Sequence, residues 1–225
     1  MPEGLLIVFE GSEGAGKTTQ LQRLSRRLAA AGVESVTLRE PGGTPLGDAI
    51  RGLLLDAGRV ISPAAEALLF MASRAELART EIDPLLDRGV VVLMDRFFLS
   101  TYAYQIAGRG LPESQVRAAN SLAAGGLVPN LTLVIEVPAS EGMARAVARG
   151  ERDRMENSGG EFHSQVESAF AEFTSSDWQD RHPECGRIVS VNGRGSEDDV
   201  HARVVQALAQ NLPLAFGMLS SQNAG

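Results

Sequence analysis

The residues with chemistry to offer fall into three groups along this 225-residue chain. The first is the run Gly11-Ser12-Glu13-Gly14-Ala15-Gly16-Lys17-Thr18-Thr19, which satisfies the pattern G-x-x-x-x-G-K-[ST]. Its glycines let successive backbone N–H groups converge on an anion without Cβ clashes. A helix opening near Lys17 adds its positive dipole end. That is a cradle for a nucleoside triphosphate, with Lys17 on the β- and γ-phosphates and the Thr18 hydroxyl as a ligand of Mg2+. The second group closes two apolar runs: Arg39 in "LREPGGTPLG", and Asp95-Arg96 in "LMDRFFLSTYAYQ". An aspartate at a strand end can approach the metal directly or through water, and the arginine beside it can bridge two phosphates. The third group is Arg145, Arg149 and Arg152 at i, i+4, i+7, with Arg154 just beyond. It reads as one cationic helix face, suited to a flap closing over a transferring phosphoryl group.

These groups need a scaffold, and the chain supplies one. Leu5–Phe9, Ser35–Leu38, Val90–Met94, Leu131–Val137 and Ile188–Val191 are short apolar runs without alternation, the pattern of strands covered on both faces. Helical spacing fills the intervals: Leu21, Leu24 and Leu28 lie at i, i+3, i+7, and residues 64–86 form a long alanine-rich stretch ending before Gly89. Alternating strands and helices predict an α/β three-layer fold, a five-stranded parallel sheet flanked by helices. It is read as a single domain over residues 1–212, with a lid at about 145–161 that contains the loop "ENSGGE", and a peripheral tail over 213–225. No apolar run approaches the roughly 20 residues a membrane helix needs, and the N-terminus lacks the basic start of a signal peptide. The lone Cys185 fits a reducing, cytoplasmic setting. A net charge of −7 argues against a protein that coats nucleic acid. A switch GTPase would need Asn-Lys-x-Asp after a strand; the fourth run ends instead in "EVPAS". His163, His182 and His201 lack metal-site spacing and are expected at the surface.

The segments "FEGSEGAGKTTQ", "REPGGT", "LLFMASRAE", "DRFFLSTYAYQ" and "RGERDRME" occur in the order and spacing of bacterial-type thymidylate kinases, P-loop nucleoside monophosphate kinases. The resemblance runs from about residue 5 to 210. It implies transfer of the γ-phosphoryl group of ATP to dTMP with Mg2+, in a cytoplasmic homodimer. By resemblance, Phe70 stacks on the thymine while Arg74, four residues on, hydrogen-bonds a base oxygen. Ser100, Thr101 and Gln105 line the pyrimidine pocket, and Glu10 touches the sugar 3′-hydroxyl or water around the metal. Arg39 grips the acceptor phosphate, Lys17 and Arg96 neutralise the transferring group, and Thr18 and Asp95 hold the metal.

Two features depart from the family pattern. Glu13 stands inside the phosphate loop where some members carry an arginine, so the catalytic cations fall to the lid, with Arg149 and Arg154 ahead of Arg152. Gln165, Glu167 and Phe170 replace the usual arginines and tyrosine beyond the lid, and Ser73 stands where an acidic residue or alanine is common. Asn192–Arg194, at the last strand's end, is a positional candidate for contacting adenine. Two other readings stay open on the residues alone. One is a kinase for another pyrimidine monophosphate or a deoxynucleoside; the other is a catalytically silent nucleotide-binding subunit.

Overall fold

The computed structural model describes residues 4–148, 154–155 and 157–217, with the backbone alone described at 139 and 146–148. Five parallel strands, β1 (Leu5–Glu10), β2 (Ser35–Arg39), β3 (Val91–Asp95), β4 (Leu131–Glu136) and β5 (Ile188–Asn192), stand in the order β2-β3-β1-β4-β5. Each lies within one residue, at either end, of the run that predicted it. The helices are α1 (Lys17–Ala30), α2 (Pro45–Leu55), α3 (Pro63–Leu77), α4 (Asp83–Asp87), α5 (Phe98–Thr101), α6 (Glu113–Ala124) and α7 (Ala139–Ala148). They continue as α8 (Gly160–Phe173), α9 (Ser176–Arg181), α10 (Glu197–Asn211) and α11 (Pro213–Phe216).

Successive strand side chains point to opposite faces, and β1 shows why its sequence is apolar throughout. Ile7 and Phe9 pack with Leu21, Leu24 and Leu28 of α1 and Val204 and Leu208 of α10. Leu6 and Val8 belong to the opposite core, with Leu77, Phe97, Phe98 and Phe170. Both faces are therefore dry. The register sets Phe9 and Arg39 level with Asp95, so the ends of β1, β2 and β3 meet along one edge. The carboxyl edge of such a sheet is where ligands bind.

Three expectations need correction. The helix expected over 64–86 is α3 followed by a π-helical turn, Ala78–Ile82, and then α4. Asp83 N–H bonds back to Ala78 O, and Pro84 has no N–H to continue an α pattern. The tail expected to be peripheral begins as α11, where Phe216 is only 1% exposed and packs into the α1–α10 core. His182, expected at the surface, is buried: its ring stacks on Trp178 at 3.8 Å, while Nδ1 meets Trp178 O and Nε2 meets Glu113. His163 and His201 are half-buried.

Candidate active site

The loop between β1 and α1 wraps around the helix start. Gly14 has φ 68°, and a Cβ on it would stand 1.9 Å from Gly142 O, so the loop backbone lies directly against α7. A Cβ on Gly142 would in turn stand 2.5 Å from Glu13 O. Gly11, with Ser12, forms the rear of the loop, where their carbonyls accept from Lys17 Nζ at 2.9 and 2.8 Å. Burial, with the Arg96 guanidinium nearby, pushes the Lys17 ammonium down to about 8. Thr18 Oγ1 donates to Asp95 Oδ2 at 2.5 Å, so the two oxygens expected to hold Mg2+ already converge between the start of α1 and the end of β3. No group of three or more His, Cys, Asp or Glu side chains suited to a metal ion exists among the described residues. Mg2+ needs none: it takes one or two protein oxygens and completes its shell with phosphates and water, and this hard-oxygen pair fits it.

Arg96 sits at φ 72°, left-handed backbone that a side-chain-bearing residue adopts only when its surroundings impose it. Glu10 imposes it. Its carboxylate, fully buried, accepts from Phe97 N at 2.7 Å, Ser100 N at 3.0 Å and Ser100 Oγ at 2.7 Å. Glu10, expected at the sugar 3′-hydroxyl or metal water, has both oxygens engaged here and no exposed surface, and it shapes the turn carrying Arg96. Arg96 then donates to Glu13 Oε1 at 2.6 Å and Ser100 Oγ at 3.0 Å, and lies over the Tyr104 ring. The Tyr104 hydroxyl donates to the same Glu13 oxygen at 3.0 Å. The acidic residue of the loop thus holds the arginine above it.

One cavity of about 440 Å³ runs from the phosphate loop to Phe70 and Arg74 of α3. Glu13, Gly14, Ala15, Gly16, Lys17, Thr18 and Thr19 form one end. Arg39, Arg51, Asp95, Arg96 and Ser100 also line it, as do Phe70, Thr101, Gln105 and Met155. Phe70 is half-buried. Arg39 is exposed, with Nη2 3.9 Å from Asp48 Oδ1. Thr101, Tyr104 and Gln105 approach the cavity from α5 and a second π-helical turn, Tyr102–Gly108.

Arg74 also borders the cavity, yet its five N–H groups are engaged within the protein. They serve the Glu40 carboxylate, Thr101 Oγ1, Asn120 Oδ1 and Phe97 O. At 2% exposure it is a structural hub, and the direct bond to a base oxygen expected of it finds no unused donor. Burial raises the Glu40 carboxyl pKa, and the Arg74 charge opposes that rise.

On the lid side, Arg154 is engaged within the protein. Its Nη1 pairs with the buried Glu66 carboxylate at 2.6 Å and its Nε donates to Leu54 O at 2.8 Å. Glu66 also receives Arg109 and Gln105. Arg154, expected as a catalytic cation, stands in this ion pair and does not border the cavity. Arg145 does line the cavity, loosely paired with Glu141 at 3.7 Å. Arg149 and Arg152 lie outside the described residues. Asn192 and Arg194 do not border the cavity; Arg194 pairs with Glu141 at 3.3 Å.

Sequence reasoning missed Glu66, Gly142 and the two Arg74 partners Glu40 and Asn120. Two of them left a signal. Glu66, Phe70 and Arg74 form an i, i+4, i+8 stripe, so a carboxylate shared the face of two chosen site residues. Gly142 interrupts a helical pattern, which often marks a close approach.

A family model described as thymidylate kinase matches residues 9–181. The chain is 42% identical over 210 residues to the thymidylate kinase of Deinococcus radiodurans, covering 93% of this chain and 98% of that one. It is 50% identical over 168 residues to the thymidylate kinase of Pseudomonas fluorescens, covering 74% of this chain and 80% of that one. The crystal structure of thymidylate kinase from Ehrlichia chaffeensis superposes with a TM-score of 0.71 at 30% identity, covering 92% of this chain and 99% of that one.

Proposed function

Because the chain belongs to the thymidylate kinase family, we propose that it transfers the γ-phosphoryl group of ATP to dTMP, giving dTDP and ADP. The observation that carries this reading is the single cavity joining the phosphate loop to a pocket walled by Phe70, Thr101 and Gln105, with arginines between the two ends. Two anionic groups can meet there, one in each half.

The chemistry asks for position and charge. The acceptor phosphate is largely dianionic at neutral pH, its second pKa being about 6, so no general base is required. The loop amides and Lys17 hold the donor phosphates, and Arg39 meets the acceptor phosphate. Arg96 stands between them and exchanges Glu13 for the transferring group as charge develops on its oxygens. Thr18 and Asp95 would hold Mg2+, which neutralises charge shared by the β- and γ-phosphates. Arg145 on α7 supplies the lid-side cation among the described residues, and Arg149 remains a candidate from its sequence position. Phe70 offers a ring face for the base, worth about 1–3 kcal/mol. One methyl group gives only about 1–3 kcal/mol of preference for dTMP over dUMP.

Assembly as a homodimer fits this reading. Leu46 and Leu53 of α2, Leu68 of α3 and Leu122 of α6 are exposed leucines on helices that pack side by side. No helix among the described residues is long and apolar enough to cross a membrane.

The test is an ADP-release assay over dTMP, dUMP, dCMP and thymidine as acceptors. Turnover highest with dTMP is expected. Faster turnover with unphosphorylated thymidine, or none with any acceptor, overturns the reading.

A further inference from the structure

Glu66 lies behind Gln105, which lines the cavity, and is fully buried in the first turn of α3. Three side chains donate to it. Arg109 spans both oxygens at 3.1 Å, Arg154 meets Oε2 at 2.6 Å, and Gln105 Nε2 meets Oε1 at 3.1 Å. An ionised carboxylate flanked by two guanidinium groups can only accept hydrogen bonds. That decides which way the Gln105 amide faces. Its NH2 end is held on Glu66, leaving Oε1, which has no partner among the described residues, as its polar end toward the cavity.

We propose that Glu66 is a specificity-positioning residue: by fixing the polarity of the Gln105 amide, it makes the pocket select a pyrimidine with an N–H donor on its pairing edge. The inference rests on the reading that this pocket receives the base of a pyrimidine monophosphate. Thymine and uracil carry that N–H at N3; cytosine has an acceptor there. Oε1 therefore gains a hydrogen bond from the first two and faces a lone pair in the third. Thr101 acts in the same sense. Its oxygen accepts from Arg74, so its own proton is free to meet a ring carbonyl. Arg109 keeps the clamp in place by lying 4.3 Å over the Phe162 ring, and Arg154 ties it to the end of α2 through Leu54 O. A site built to pair one hydrogen-bonding edge rejects the mismatched edge far more strongly than a site that merely counts methyl groups.

The clean comparison is dUMP against dCMP, which differ on the pairing edge and share the missing methyl. In Glu66→Gln, the new amide oxygen is expected to face the two arginine donors that meet Oε2. Its NH2 then faces Gln105 and turns that amide over. The wild-type protein is expected to prefer dUMP by at least tenfold in kcat/KM. E66Q is expected to lose at least tenfold of that ratio, with KM for ATP within twofold of wild type. A purely structural role would lower the active fraction and leave the ratio alone, so an unchanged ratio in folded E66Q overturns the proposal, as does wild-type parity. If the two uncompensated arginines keep E66Q from folding, E66Q combined with Arg154→Gln carries one cation fewer. It is expected to show the same fall, and a wild-type ratio there is equally fatal. Absence of dTMP turnover in the wild type would instead defeat the functional reading, and the two failures are separate measurements.

Discussion

Replacing Arg74 by Gln probes what holds the acceptor half of the site together. Arg74 and Glu40 are 2% and 5% exposed at their side chains, and the guanidinium also serves Thr101, Asn120 and Phe97 O. Removing the cation strands a buried carboxylate, which costs about 3–5 kcal/mol. The two N–H donors of glutamine recover two of the three neutral partners and leave the third unsatisfied at about 1 kcal/mol or more. A total near 4–6 kcal/mol approaches the whole stability of a marginal domain, about 5–15 kcal/mol. In urea unfolding, at a slope of about 2–3 kcal/mol per molar, the midpoint is expected to fall by about 1.3–3 M. Adding Glu40→Gln removes the stranded charge, and the double variant is expected to recover about 2–3 kcal/mol. The pH dependence follows from the direction of the Glu40 shift. Burial already holds its folded-state pKa above the ordinary 4.5, and without Arg74 it rises further. Between 4.5 and that raised value the folded variant binds more protons than the unfolded chain, so its stability falls as pH rises. The deficit against wild type is expected to shrink in acid and widen toward neutrality. A midpoint shift under about 0.3 M with a raised KM for dTMP would refute the reasoning, and would return Arg74 to the role of a base reader.

The Lys17 amine, pushed down to about 8 from an ordinary 10.5, gives a second test. A neutral amine cannot pair with phosphate, so kcat/KM for ATP is expected to decline above about pH 8. Calorimetry at pH 8.5, in two buffers of different ionisation enthalpy, should show proton uptake on ATP binding. The depressed pKa also means that the folded state holds fewer protons between about 8 and 10.5, so this group makes stability rise with pH there; a flat kcat/KM up to pH 9.5 sinks the assignment. Phe216→Ala is expected to cost about 3–5 kcal/mol in urea unfolding, as for a core phenylalanine. A loss within about 0.5 kcal/mol would mean that α11 is peripheral after all.

Local signals were enough for the frame. The strands could be read because each is a short apolar run fixed by burial on both faces, and the phosphate loop because its glycines, lysine and threonine must be consecutive to work. What the chain alone left open is who faces whom across distance. Glu10 looked like a ligand contact because it adjoins the loop, yet its carboxylate is claimed by backbone N–H groups 87 and 90 residues away. Arg154 looked like a catalytic cation by its place in a basic run, but Glu66 takes it into a buried pair. Arg74 shares a helix face with Phe70, and only the packed structure shows that its donors are already engaged. Sequence spacing fixes the direction in which a side chain leaves its own helix or strand. The partner that satisfies a buried charge is chosen by packing between segments far apart in the chain, because an unpaired charge there costs more than most single contacts contribute.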